Sequence, residues 1–312
     1  MKKLKRELKP RFPIYIPSYS RYQWSRALTA RSLMEMGLDF TFIVEPEQEE
    51  EYITVFGKRR VKVLPEEYHL NYETLDELGM TKSQGPGPAR NFAWDDSIKR
   101  GYTWHWVMDD NIANFYIFNK NLRLKTTNPA FFRLMEEFTL LFDNVSMAGP
   151  HYLMFVPDIQ KRPPFIINTR IYSCNLIRND TPYRWRGRYN EDTILSLDML
   201  TDGWVTIQFN HFLQEKINTQ KILGGNNERI YSQEGTYPKS AMLQRAYPLF
   251  AKVVWKFGRW HHYVDYSGFK QKPKLKEGVV LPKKPPFTYH EIHKKSGLLV
   301  NLEYPKLKDL VL

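Results

Sequence analysis

Cysteine is almost absent from this 312-residue chain. Cys174 stands alone, so no intramolecular disulfide can form, and a single thiol fits a reducing compartment. Long apolar runs are missing as well: no stretch reaches the roughly 18–20 residues that a membrane span requires. No hydrophobic segment follows the charged start Met1-Lys2-Lys3-Leu4-Lys5, so a secretory signal is not expected. There is no internal repeat, and charged residues at 26% with aromatics at 15% argue against a disordered chain. The expectation is a cytoplasmic protein, not secreted, with no membrane partner and an oligomeric state that the sequence leaves open.

Acids are the other shortage. Lys and Arg number 46 against 34 Asp and Glu, a net charge of +12. Such a balance favours an acidic partner, nucleic acid above all. Part of the excess lies in the tail, where Lys270, Lys272, Lys274, Lys276, Lys283 and Lys284 are spaced by prolines. The expected organisation is one domain over 1–268, followed by a basic, proline-containing arm over 269–312.

What the chain does have is a clear alternation of short apolar runs and helical periods. Pro13–Pro17 predicts a strand, Trp24–Met36 a helix stopped by Gly37, and Asp39–Val44 a second strand. Pro46–Phe56 predicts a helix with an acidic start, and Val61–Leu64 a third strand. A Gly85-Pro86-Gly87-Pro88 loop precedes a helix over Ala89–Lys99. The apolar run Thr103–Met108 then ends in Asp109-Asp110-Asn111. This order predicts a parallel, nucleotide-binding half-domain with right-handed crossovers. Later segments predict a helix over Asn128–Phe142, β-rich runs over Ile166–Ile177, a helix over Asp192–Leu200 and a strand over Val205–Phe209. A flexible loop at Gly224–Asn227 and a helix over Lys239–Phe257, broken near Pro248, complete the series.

Four constellations carry chemistry. Asp109, Asp110 and Asn111 fall at the carboxyl end of a strand, where open α/β sheets bind ligands, and their oxygens suit a hard divalent cation on a diphosphate. The Gly85–Pro88 loop opens a helix whose backbone N–H groups can face a phosphate, with Arg90 and Asn91 beside it. Arg188-Tyr189-Asn190-Glu191-Asp192-Thr193 brings two carboxylates to a helix start, which suits a general base as well as the helix dipole. Arg259-Trp260-His261-His262 offers an imidazole, which Mn²⁺ tolerates better than Mg²⁺ does. Tyr183, Trp185, Tyr189, Trp204 and Trp260 are candidate stacking platforms for an extruded base.

The order of these motifs resembles a GT-A glycosyltransferase, and more narrowly the TET/JBP-associated glycosyltransferases found largely in bacteriophages. The resemblance rests on Ile16-Pro17-Ser18-Tyr19-Ser20-Arg21, Gly87-Pro88-Ala89-Arg90-Asn91, Met108-Asp109-Asp110-Asn111 and Tyr189-Asn190-Glu191-Asp192-Thr193, and it spans roughly residues 11 to 268. It implies a Rossmann-like, nucleotide-sugar-binding fold with a mixed, mainly parallel sheet flanked by helices. The implied activity is metal-dependent transfer of a sugar from a nucleotide-diphosphate sugar to the hydroxyl of a hydroxymethylated pyrimidine in DNA. The setting would be the host cytoplasm if the chain is phage-encoded. Pro17, Ser18, Arg21, Gly87, Arg90, Asn91 and Asp109 are then expected around the nucleotide sugar. Asp109, Asp110 and Asn111, with His261 or His262, are expected to hold Mn²⁺ or Mg²⁺. Asp192 is expected to be the base in an inverting reaction, with Glu191 as its substitute. Arg188, Tyr189, Trp185, Lys270, Lys272 and Lys274 are expected at the acceptor or along DNA, either as a duplex or around a flipped base. The third acidic position is Asn111 rather than Asp, a departure from the family pattern. Two other functions fit the same features: a transferase acting on a glycan, protein or small molecule, and a non-catalytic nucleic-acid-binding module on a degenerate transferase fold.

Overall fold

The computed structural model describes residues 9–119, 122–157, 163–217 and 236–279. Its first part alternates strand and helix as the sequence predicts: β1 (Ile14–Pro17), α1 (Leu28–Glu35), β2 (Thr41–Val44), α2 (Glu49–Phe56), β3 (Val61–Val63), the short α3 (Glu66–Leu70), α4 (Gly87–Lys99) and β4 (Trp104–Met108). Next come β5 (Ile112–Asn119), β6 (Leu122–Thr126), α5 (Ala130–Thr139), β7 (Val145–Tyr152), β8 (Phe165–Ile167), β9 (Cys174–Arg178) and α6 (Glu191–Thr201). The remaining elements are β10 (Val205–Lys216), α7 (Tyr237–Ala246), β11 (Ala251–Lys256) and β12 (Arg259–Val264).

Among the described residues these form a ten-stranded mixed sheet in the order β3-β2-β1-β4-β9-β7-β10-β5-β6, with β8 alongside β10. β3, β2, β1 and β4 run parallel, and β9 enters antiparallel between β4 and β7. β7 therefore points the same way as β4. The chain steps outward from β1 to β2 and β3, then returns to lay β4 on the other side of β1. The junction of β1 and β4 is thus the topological switch point, and ligands bind beyond the carboxyl ends of strands there.

Helices cover both faces, so the inner strands are buried on both sides, as parallel strands require. The alternation of strand side chains divides the core. Trp106 faces a cluster with Phe115, Phe131, Phe132 and Phe138. Its neighbour Val107 faces the opposite cluster of Tyr72, Trp94, Met147, Trp185 and Leu195.

Several segments depart from the sequence expectation: the strand expected over Val205–Phe209 runs on to Lys216, β5, β6 and β7 were not expected, and three further differences have local causes. The first helix starts at Leu28 rather than Trp24, because its amino end is tied to the β4–β5 turn. There Thr29 N donates to Asp110 O (3.2 Å) and Thr29 Oγ1 to Asp109 O (2.5 Å). Arg170–Tyr172 is a connection rather than a strand, and β9 begins beyond Ser173, whose φ of 58° breaks the extended run. The helix expected over Lys239–Phe257 ends at Ala246. Pro248 disfavours helical backbone at Tyr247, and the β-branched Val253 and Val254 continue as a hairpin. The Gly224–Asn227 loop and the lysines at 283 and 284 lie outside the described residues.

The start of the expected arm folds back onto the domain. Asn144 Nδ2 donates to Lys272 O (2.9 Å), Asp143 N to Lys274 O (2.8 Å), and Phe142 pairs with Leu275. These contacts lie just before β7, at the amino end of a strand parallel to β4. Lys272 and Lys274 are therefore at the opposite edge of the sheet from Asp109.

Candidate active site

A cleft of about 540 Å³ opens at the switch point. Its walls bring together residues that are far apart in sequence: Pro17 at the end of β1, Ser18 and Arg21 after it, Gly85 and Pro86 before α4, and Arg90 within α4. Asp109, Asp110 and Asn111 follow β4, Glu191 and Asp192 start α6, and His261 and His262 come from β12.

Arg90 is the hub. Its guanidinium is 2% exposed, yet it donates to Asp109 Oδ1 (2.6 Å) and Asp192 Oδ1 (2.8 Å), and Glu191 Oε1 lies 3.3 Å away. It also lies over the Trp185 ring, 4.4 Å from the centroid, a cation–π contact that replaces hydration on one side. Burial alone would lower the Arg90 pKa, but the three carboxylates raise it, so the group stays charged.

The carboxylates are tuned apart. Burial would raise the Asp109 carboxyl, but the Lys216 ammonium at 2.5 Å and Arg90 outweigh it and hold Asp109 well below the usual carboxylate range. Burial raises Asp192 and Glu191 above that range, with Arg90 opposing and Asp109 adding to the rise. Pairs of acids separated in this way mark a division of labour in an enzyme site. Asp109 is a permanent anion, and Asp192 is a carboxyl whose proton affinity suits a base.

Asp110 lines the cleft on the side of the loop that follows β1. It accepts from Ser18 Oγ (2.7 Å) and is paired with Arg21, while Tyr52 OH is 2.7 Å from Ser18 Oγ. These contacts lock the loop after β1 onto the loop after β4.

Asp109, Asp110, Asn111, His261 and His262, the expected metal set, all line this cleft, but their donor atoms are engaged by other groups of the chain. Among the described residues no group of three or more His, Cys, Asp or Glu side chains is arranged to hold a metal ion. The reason lies in the donors. Asp109 faces Lys216 and Arg90, Asp110 faces Ser18 and Arg21, and Asn111 Nδ2 donates to Ile217 O (2.9 Å). His262 Nε2 accepts from Arg170 (3.1 Å), and burial with that guanidinium pushes its pKa down to about 3. His261 Nε2 accepts from Arg259 Nε (3.2 Å).

Several other expected site residues have structural duties. Asn91 and Trp185 exchange two hydrogen bonds through the Asn91 amide and the Trp185 backbone (2.8 and 2.9 Å), which occupies the amide expected at the nucleotide. Gly87 is set by close approach: a Cβ there would lie 1.9 Å from Tyr72 OH. Trp185, Arg188 and Tyr189, expected at the acceptor, are all enclosed. Arg188 grips Asp76 through two bonds (2.6 and 3.0 Å) and the carbonyls of Gly79, Lys82 and Ser83, which shapes the loop leading to Gly85. Tyr189 packs on Met242.

Sequence reasoning missed several cations in the cleft, Lys216 and Arg170 among them. Lys216 ends β10, and the available signal was a charge at the carboxyl end of an apolar strand. Arg170 had none, because it sits in a connection. Its guanidinium lies over the Tyr172 ring (4.2 Å), donates to His262 and feels the Asp192 charge, without a salt bridge among the described residues.

The model of one family, the TET-associated glycosyltransferases, matches residues 12–225. The chain belongs to that family. It is therefore a glycosyltransferase using a nucleotide-sugar donor, and its mixed sheet flanked by helices is the fold expected of one. The matched span covers β1 through β10 and with them the Asp109, Arg90 and Asp192 hub; α7 and the β11–β12 hairpin lie beyond it. No curated protein matches the chain. No described helix is long and apolar enough to cross a membrane.

Proposed function

We propose that this transferase moves a sugar from a nucleotide-diphosphate sugar to the hydroxyl of a hydroxymethylated pyrimidine in DNA. The observation that carries the transfer chemistry is the Asp109–Arg90–Asp192 chain in a single cleft at the switch point. The excess of positive charge favours a polyanionic acceptor.

In this reading Ser18 and Arg21 shape the nucleotide end of the cleft, and Asp109 faces the donor ribose or sugar. Asp192 takes the proton from the acceptor hydroxyl as that oxygen attacks the anomeric carbon, an inverting course. The departing diphosphate accumulates negative charge, which must be neutralised by groups held in place beforehand. The described residues offer no ligand set for the expected divalent cation, so we assign that work to Lys216 and Arg170. Arg90 orients Asp192 and keeps it from moving toward Asp109.

The test is an acceptor comparison. Duplexes containing hydroxymethylcytosine, hydroxymethyluracil or only ordinary bases are incubated with nucleotide sugars, and the digested nucleosides are weighed by mass spectrometry. A hexose-sized increase confined to a hydroxymethylated base supports the assignment. Donor turnover without any modified nucleoside refutes the DNA acceptor and leaves a glycan, protein or small-molecule acceptor in its place.

A further inference from the structure

The β11–β12 hairpin leaves the rim of the cleft and projects an apolar tip into solvent. Its strands pair Lys252 with Tyr263, Val253 with His262, Trp255 with Trp260 and Lys256 with Arg259. Its base is fixed: Ala251 and Val264 pack with Ile194 and Leu197 of α6, the helix that carries Asp192. Trp260 and His262 line the cleft itself. The hairpin is thus a rigid extension of the catalytic wall.

Its tip is built against the needs of folding. Phe257 and Gly258 form the two-residue turn, with φ of 53° and 71°. Turns of this kind take Asn, Asp or Gly first, because a bulky side chain is strained at positive φ. Here a phenylalanine holds the position and is 83% exposed; its ring meets the Lys256 ammonium (5.0 Å from the centroid) and the His261 ring (6.1 Å), surface contacts that leave most of it in solvent. Trp255 and Trp260 beside it are 60% and 40% exposed and meet edge to face, with centroids 5.0 Å apart. Exposed aromatics clustered in this way mark an interaction surface.

Charge selects the partner. From Ala251 to Val264 there is no Asp or Glu, while Lys252, Lys256 and Arg259 frame the aromatic tip. None of these three cations has an ion-pair partner among the described residues. Alternating cations and exposed rings suit the backbone and base faces of a nucleic acid.

We infer that the hairpin tip is a wedge: Phe257, flanked by Trp255 and Trp260, enters the base stack of a duplex and occupies the gap left when the acceptor base turns into the cleft. Lys252, Lys256 and Arg259 hold the flanking phosphates. This rests on DNA being the acceptor. It goes beyond that reading by naming the device that opens the duplex, and it puts phosphate contacts near the cleft on the hairpin rather than on Lys272 and Lys274.

The experiment uses the full chain and duplexes with one hydroxymethylcytosine beside 2-aminopurine, whose fluorescence rises on unstacking. Wild type, Phe257→Ser and Trp255→Ser are compared for fluorescence, for kcat/KM on duplex and single strand, and for donor hydrolysis. The expected result is a loss of roughly tenfold or more on the duplex, the scale of one lost stacking contact. The fluorescence rise should be diminished, and single-strand transfer and donor hydrolysis unchanged. Equal activity of variant and wild type on the duplex overturns the wedge and leaves the DNA acceptor standing. Parallel losses on all substrates overturn it as a general structural defect. A wild type that neither binds nor modifies any duplex overturns both readings. Variants that change only the sedimentation behaviour reassign the tip to self-association.

Discussion

The Lys216 ammonium stands 2.5 Å from Asp109 Oδ2, where a cation bound to that carboxylate would have to sit. It also reaches Ser173 Oγ (2.8 Å), so the lysine is fixed from two sides. Burial works against its charge, but Asp109 reverses that and keeps the group protonated. A pre-placed cation needs no reorganisation when the diphosphate departs. Transfer should therefore persist in excess EDTA at nearly its full rate, and Lys216→Ala should lower kcat by about 10²–10³-fold, the scale of removing one electrostatic stabiliser. Initial rates with EDTA, and with EDTA followed by Mn²⁺, check this. Complete loss in EDTA with recovery on Mn²⁺ would return the metal to the site.

Asp192 gives a pH signature. A base must be ionised to act, and burial raises this carboxyl above its ordinary 3.8. The acid limb of kcat/KM should therefore fall at a pH above that of a free aspartate, with activity lost as pH drops. Asp192→Asn should lose about 10²–10⁴-fold of transfer, the usual worth of a positioned base, while donor affinity by calorimetry is retained. Glu191→Gln should lose far less, because Glu191 is the more distant of the two from Arg90. An Asp192→Asn enzyme with full activity would leave the proton without its acceptor.

Arg90 is expected to matter for stability as well as for rate. Removing its guanidinium leaves Asp109, Asp192 and Glu191 facing one another in a buried site. Breaking a buried pair from one side costs about 3–5 kcal/mol. Arg90→Met should show a loss of that order in denaturant melts, and adding Asp192→Asn should recover part of it by removing one of the stranded charges. If the two losses simply add, Arg90 and Asp192 are not coupled.

What the sequence made legible was local. The apolar run ending at Asp109, the Gly-Pro loop opening α4 and the acids starting α6 each announce themselves within a few residues. Their convergence follows from the rule that ligands gather beyond strand ends. What stayed hidden depends on partners distant in the chain. Asn91 looks like a ligand residue until Trp185, 94 residues later, takes its amide. Lys216 looks like the end of a strand until the sheet sets it against Asp109, 107 residues earlier. The hairpin was hidden for another reason: Lys239–Ala246 has a helical period, and only the proline at 248 separates it from strands whose aromatics also fit a helix face.

Glu136 offers a test of the core away from the site. Its carboxyl is wholly buried beneath β4 and accepts from Arg11 N (2.8 Å), Phe12 N (3.3 Å) and Trp106 Nε1 (2.9 Å). Burial outweighs these donors and raises its pKa from 4.5 to about 7. Between those values the folded chain holds a proton that the unfolded chain has released. The stability this contributes is complete below pH 4.5 and is lost as pH rises through 7. Glu136→Gln is neutral throughout, so its stability relative to wild type should climb across that window by on the order of 3 kcal/mol and then level off. His105, which burial lowers to about 4, acts in the opposite direction over an overlapping range, but it is common to both proteins and cancels in the difference. Urea melts of both chains at pH 5, 6, 7 and 8 supply the comparison. A difference that stays flat with pH would mean that Glu136 is ionised in the folded core, held by its three donors despite the burial.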